Sequence, residues 1–283
     1  MGKQLGDNKM KKLITTLSLF VIIFTGCDVN INEYENDRTP PTAPKNVYSV
    51  TGDNEVYLYW DSNRESDLAG YKIYYSYSYN GTYYYIGSTS KTNFIDNEAK
   101  NGTTYYYAIT AYDRDGNESE LSIEEVFDTP RPEGFNQAIF EFHQFENTSG
   151  YSFKDYLVVP YNSANVDFFF EKYNNKFYLD VFKDSDIQDM GATQDIYDIS
   201  YAPLNGYVPI NEGENIKYVE AKIGHTYVIW TYDNHFAKVR VKNITNERLV
   251  FDWAYQTAEG NRELKRMVDD FRENLTNIKI IRN

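Results

Sequence analysis

The chain has one cysteine in 283 residues. It has no internal disulfide partner, so the fold must rest on its own core. Histidine is nearly as scarce, with only His143, His225 and His235. Positive charge is in short supply: 28 Lys and Arg stand against 42 Asp and Glu, a formal net charge of −14. So acidic a chain repels phosphate backbones, which excludes nucleic acid as a partner. Ala and Leu are thin between residues 40 and 255, which argues against a helical body. No Gly-rich phosphate loop, H-E-x-x-H helix, nucleophile elbow or CxxC pair occurs. Carboxylates abound, but nothing in their spacing singles out a glycosidase-like pair. The expectation is therefore a non-enzyme with no cofactor and no metal residues to name.

What is abundant is tyrosine, at 28 residues, and aromatics reach 17%. Tyr suits pleated, half-buried surfaces, which points to an all-β chain. At ~150 residues per domain the length allows about two.

The first segment reads as an address. Lys11 and Lys12 precede an apolar stretch from Leu13 to Phe24, too short to span a bilayer. Phe24-Thr-Gly-Cys27 follows and resembles the lipobox of bacterial lipoproteins, with Phe where the family usually has Leu. The resemblance implies cleavage before Cys27, diacylglycerol on its sulfur, and anchoring to the inner or outer membrane of the cell envelope. Several acyl chains hold firmly, at ~0.8 kcal/mol per buried CH₂. Residues 1–26 carry four Lys and one Asp, so the mature chain stands at −17 and has no electrostatic attraction to anionic lipid. Residues 27–39 are acidic and aperiodic, as a flexible tether would be.

Residues 40–130 show short alternating strands. Val56, Leu58 and Trp60 point one way, as do Tyr71, Ile73 and Tyr75, and Tyr105, Tyr107, Ile109 and Ala111. Asn80-Gly81, Asn101-Gly102 and Asp115-Gly116 punctuate them as turns. Val56-x-Leu-x-Trp60, Leu68-Ala-Gly-Tyr71-x-Ile-x-Tyr75 and Asn101-Gly-Thr-x-Tyr105-x-Tyr107 resemble strands B, C and F of a fibronectin type III domain. The resemblance implies an Ig-like β-sandwich, Tyr105 as its tyrosine-corner residue, and a role in binding, spacing or display.

Two features of this domain invite a ligand. Asp61, Glu65 and Asp67 precede strand C, and Asp113, Asp115 and Glu118 follow strand F. Such loops share a pole, so the six carboxylates either converge on Ca²⁺ or form two solvated acidic turns. That pole faces the tether, because the chain enters there. Tyr74 and Tyr106 should face outward on one sheet, with Tyr84 beside them. This stripe either stacks on sugars or proteins, or packs internally.

Thr129-Pro-Arg-Pro-Glu-Gly134 marks a stiff boundary, with residues 131–134 as linker. Beyond it, residues 135–283 read as a second antiparallel β domain. Strand candidates are Ala138 to Phe145, Val166 to Phe170, Phe177 to Phe182, Tyr227 to Tyr232, Phe236 to Val241 and Leu249 to Tyr255. Leu264, Met267, Val268, Phe271 and Leu275 recur at helical spacing, which predicts a terminal helix over about 261–275. The run from Gly224 to Val241, with Phe251-Asp-Trp-Ala-Tyr-Gln256, is similar to the C-terminal strands of HmuY-like lipoproteins, some of which bind haem. Their ligands map onto no residue here. His225 and His235 flank one strand about 30 Å apart, too far for one metal or haem. Met190 is a candidate haem ligand by residue type alone.

The expected function is a lipid-anchored envelope protein of binding or display type, for a protein or glycan partner. The alternatives are a haem or small-molecule carrier and an envelope glycan hydrolase.

Overall fold

The computed structural model describes residues 37–265. Cys27, the apolar segment before it and residues 266–283 lie outside the described residues.

Residues 48–128 form a seven-stranded sandwich. One sheet joins β1 (Tyr48–Thr51), β2 (Val56–Tyr59) and β5 (Asn93–Asp96) in the order β1-β2-β5. The other joins β3 (Leu68–Ser76), β4 (Tyr84–Thr89), β6 (Tyr105–Asp113) and β7 (Val126–Asp128) as β4-β3-β6-β7. This is a fibronectin type III-like order, and all pairings are antiparallel. Period-2 alternation turns Val56, Leu58, Tyr71, Ile73, Tyr107, Ile109 and Ala111 into one core. Trp60 meets Tyr71 edge-on at 5.2 Å. The Lys100 amide donates to the Tyr105 hydroxyl at 3.0 Å, the bond back along the chain that makes a tyrosine corner.

The second sandwich has two five-stranded sheets. The front sheet runs β10-β9-β11-β12-β14 through β9 (Gly150–Ser152), β10 (Leu157–Val159), β11 (Phe168–Tyr173), β12 (Lys176–Phe182) and β14 (Ile216–Glu220). The back sheet runs β13-β15-β16-β17-β8 through β8 (Glu133–Phe140), β13 (Asp186–Ala192), β15 (His225–Trp230), β16 (Phe236–Ile244) and β17 (Arg248–Gln256). Phe168, Phe170, Leu179, Val181, Tyr227, Ile229, Val239 and Phe251 fill the space between them. The rings interlock: Phe153 stacks on Phe168 at 5.5 Å and on Tyr255 at 5.6 Å. Such pairs add about 0.5–1.5 kcal/mol each beyond their burial.

The outer face of the back sheet is covered. Residues 196–208 and 261–265 lie across it, where Ala202 and Leu264 pack on Val228 and Phe236. Lys238 holds them down. It is fully buried, and its Nζ donates to the carbonyls of Ile199 (2.8 Å) and Leu264 (2.6 Å). Burial pushes this amine well below the usual lysine range. The covering also takes in the first five residues of the terminal helix expected over about 261–275. Asn261 to Lys265 are not helical: Glu263 bridges to Tyr201, and Leu264 N donates to the Ser200 carbonyl at 2.7 Å. The Leu264 carbonyl instead accepts from both Lys238 and Arg131. Residues 266–275 lie outside the described residues.

The boundary at 131–134 is a joint with little slack. Thr129 to Pro132 are buried, and Glu133 already begins β8. Arg131 N donates to Gly52 in the first sandwich at 3.0 Å. Its Nη2 donates to the Leu264 carbonyl at 3.1 Å. Lys265 Nζ donates to the Phe127 carbonyl at 3.0 Å and lies 4.6 Å from that ring's centre. Gly102, at φ +79°, sits so close to Thr257 that a Cβ would lie 2.7 Å from its hydroxyl.

Candidate binding site

The acidic loops of the first sandwich do not converge as a set of six. Asp67 and Asp113 do meet, joined by Asp37, with carboxylate oxygens within 4.8 Å of one another. Asp113 is already occupied: it accepts from the amides of Asp115 and Asn117 at 2.9 Å and from Asn117 Nδ2 at 2.8 Å. Asp61 accepts from Asn46 Nδ2 at 2.7 Å. Glu65 accepts from the Thr42 amide (2.7 Å) and hydroxyl (2.8 Å), which hold its carboxyl down to about 2. Glu118 lies on the sheet face, bound by Lys72, Tyr74 and Thr110. The entering chain does run along this pole, through Thr42 and Asp37.

The tyrosine stripe is rearranged. A register shift after Ile73 pairs Tyr74 with Tyr85 and Tyr75 with Tyr84. Tyr84 therefore leaves the face of Tyr74 and lines a hollow of ≈ 570 Å³ with Tyr75, Tyr77 and Tyr105. Tyr74 is half-buried, its hydroxyl donating to Glu118 at 2.6 Å. Tyr106 packs on Phe127 at 5.8 Å and on Tyr79 at 6.4 Å. One residue of slippage reverses every side chain beyond it, so alternation could not reveal this.

The three histidines stay apart in role. Each Nδ1 faces a carboxylate: His143 with Glu141 (2.7 Å), His225 with Asp189 (2.9 Å) and His235 with Asp233 (3.2 Å). Met190 packs with the apolar cluster of Ala202, Val228, Phe236 and Leu264.

The outer face of the front sheet is different in kind. Phe177, Leu179 and Val181 of β12 turn inward, so Tyr178, Asp180 and Phe182 turn outward. Register places Phe169 and Tyr218 on either side of Asp180, and Glu171 and Glu220 on either side of Tyr178. The rings of Tyr178 and Tyr218 meet edge-on at 5.6 Å. Phe169 meets Phe142 at 5.5 Å and Phe182 at 5.6 Å. Two hollows open on this face. One, of ≈ 520 Å³, is lined by Glu171, Tyr173, Asn174, Lys176, Tyr178 and Tyr218. The other, of ≈ 300 Å³, adds Asp180, Phe142, Phe169, Glu214, Asn215 and Ile216. Both share Glu171 and Tyr218.

Asp180 is the unusual group. It is 1% exposed, and its Oδ1 has no hydrogen-bond partner among the described residues. Burial, then the Glu171 charge, pushes its carboxyl up to about 8. Glu171 is itself raised by burial, with the nearby His143 acting against that and Glu141 adding to it. Buried polar groups are nearly always paired, so an orphan in a hollow points to something that fills it. Sequence reasoning passed over Asp180. The signal was there: an acid at the middle of the apolar strand Phe-Tyr-Leu-Asp-Val-Phe.

No family model matches the chain. It is 40% identical over 97 residues to an amylopullulanase of Thermoanaerobacterium saccharolyticum, and 42% identical over 98 residues to that of Thermoanaerobacterium thermosulfurigenes. Each match covers 34% of this chain but only 7% and 5% of those enzymes. Among solved structures, an Fn3-like protein from Clostridium thermocellum is 25% identical, with a TM-score of 0.28 over 34% of this chain and 96% of that one. The FN3tt domain is 23% identical, with a TM-score of 0.28 over 32% of this chain and 96% of that one. The described residues are all-β, and the strand order of the first sandwich is fibronectin type III-like.

Proposed function

We propose that this chain is an exported envelope protein, lipid-anchored through Cys27, that binds its ligand on the front sheet of the second sandwich. The fibronectin type III-like sandwich serves as the spacer between anchor and binding face. The observation that carries the reading is the contrast between the two outer faces of the second sandwich. The back face is sealed by its own chain, whereas the front face leaves aromatic side chains and carboxyl groups around two hollows. Ligand sites have this make-up, with apolar walls and a few polar groups. The chain without residues 1–26, screened against a glycan array and envelope proteins, should find a partner whose binding falls with Tyr178→Ala or Tyr218→Ala. No partner, or binding indifferent to both changes, refutes the site. Palmitate labelling that survives Cys27→Ser refutes the anchor.

A hydrolase reading has one supporting observation: Glu171 and Asp180 share a hollow, and Asp180 is held protonated as a general acid would be. Hydrolysis of a glycan abolished by both Asp180→Asn and Glu171→Gln would establish it. The haem-carrier reading is the weaker alternative, because Met190 is packed away in an apolar cluster.

A further inference from the structure

We infer that the inner hollow of the front sheet is a subsite for a primary ammonium group, with Asp180 as its hydrogen-bond acceptor and Glu171 as its second charge partner. The inference rests on the reading that this face takes the ligand, and it names the chemistry.

The lining decides the class. Three carboxyl groups border the hollow, from Asp180 on β12, Glu171 on β11 and Glu214 before β14, and no Lys or Arg lines it. An anionic ligand would meet only repulsion and buried acid. The apolar walls are Phe142, Phe169 and Tyr218, whose ring faces attract cations. The polar centre is the carboxyl of Asp180, which lines the hollow and whose buried Oδ1 lacks a donor among the described residues. A quaternary ammonium has no N–H to offer it. A primary ammonium has three, and its charge offsets the cost of ionising a buried carboxyl. The hollow of ≈ 300 Å³ suits a small head group rather than a whole sugar chain. The adjoining hollow of ≈ 520 Å³, with Tyr173, Tyr178 and Tyr218, is where the rest of such a ligand would lie. Lys176 borders that outer hollow, 3.5 Å from Glu220.

Binding should be linked to protons. Asp180 is protonated in the free protein up to a pH of about 8, so an incoming ammonium displaces that proton. Affinity should therefore rise by up to about tenfold per pH unit between pH 6 and 8. The titratable groups facing Asp180 are Glu171 from β11, Glu214 from the loop before β14 and Tyr218 from β14, with Glu141 and His143 behind Glu171. His143 stands near Glu171, so His143→Gln is the control that assigns the linkage.

The test is calorimetry on the chain without residues 1–26, using four probes: butylammonium, a lysine-containing peptide, chitosan tetraose, and the same tetraose fully N-acetylated. At least one amine should bind with proton release, and Asp180→Asn should weaken it tenfold or more. Tyr218→Ala, which changes an exposed wall residue, should also weaken it if the buried variant fails to fold. The peptide and chitosan arms distinguish a protein lysine from an amino sugar as the source of the ammonium. Equal binding of the acetylated and free tetraose overturns the ammonium inference and leaves a glycan-binding face. Amine binding unchanged by both variants, or no amine binding at all, overturns the subsite. A partner found by the array screen in that last case would still support the face.

Discussion

Replacing Asp180 by Asn isolates the energetic consequence of an unpartnered buried acid. In the folded chain its carboxyl titrates at about 8, against about 3.9 when unfolded. The raised value means that the folded state holds a proton which the unfolded state has lost. Stability is therefore fully present below about pH 4 and declines as pH rises toward 8. At pH 7 the gap spans about three units, or about 4 kcal/mol at ~1.4 kcal/mol per unit. Asn carries no such linkage but leaves a buried amide that costs about 1–3 kcal/mol. The variant should thus be about 1–3 kcal/mol more stable than the parent at pH 7, and no more stable at pH 4.5. Urea midpoints at pH 4.5, 7 and 8.5 read the difference. Asp167, 5% exposed and pushed up to about 7 by burial, adds its own slope to both proteins and cancels. Parallel profiles for parent and variant would refute the argument, because they would mean that Asp180 ionises in place.

Other residues make separate predictions. Phe153→Ala empties a site that is 0% exposed between Phe168 and Tyr255, and should cost about 3–5 kcal/mol in chemical denaturation. Arg131→Ala removes a cation 1% exposed from the joint and should cost about 3–5 kcal/mol. Limited proteolysis should then cut near residues 129–133, and resistance there would contradict the rigid joint. Glu65 is held down to about 2, chiefly by the Thr42 amide, so its contribution exists above about pH 4.5 and vanishes as pH falls through 2. The Thr42 amide resonance should titrate with that midpoint and stop doing so in Glu65→Gln. Asp113→Ala should lower the melting temperature equally with and without millimolar Ca²⁺, since its carboxylate serves amides of its own loop. A loss seen only with Ca²⁺ would show that the cluster with Asp37 and Asp67 is a metal site.

The first sandwich was legible because its signals are local. Val56-x-Leu-x-Trp, the Asn-Gly turns and the Tyr105 corner each act within a few residues, and each is where alternation puts it. The second sandwich has an equivalent device that reading missed. Tyr227 accepts from the Lys222 amide at 2.8 Å and donates to the Glu220 carbonyl at 2.9 Å, clamping the turn into β15. The terminal segment misled for the opposite reason. Leu264 has the spacing of a helical residue, yet burial in the groove over Val228 outweighs propensity, with Lys238 holding its carbonyl.

By itself the sequence determined the class of the molecule. Period-2 alternation and sparse helix formers pointed to a β chain, and a single cysteine leaves it without an internal disulfide. Only the tertiary structure decided where a ligand has room. Alternation states which residues share a face of one strand, but not which strands stand side by side. Phe169, Asp180 and Tyr218 come together because β12 pairs with β11 and with β14, the latter after an intervening strand of the other sheet. Whether a face is open is likewise non-local: residues 196–208 and 261–265 lie over one sheet, whereas hollows open on the other. The slip after Ile73, which parts Tyr84 from Tyr74, belongs to the pairing of two strands and is written in neither alone.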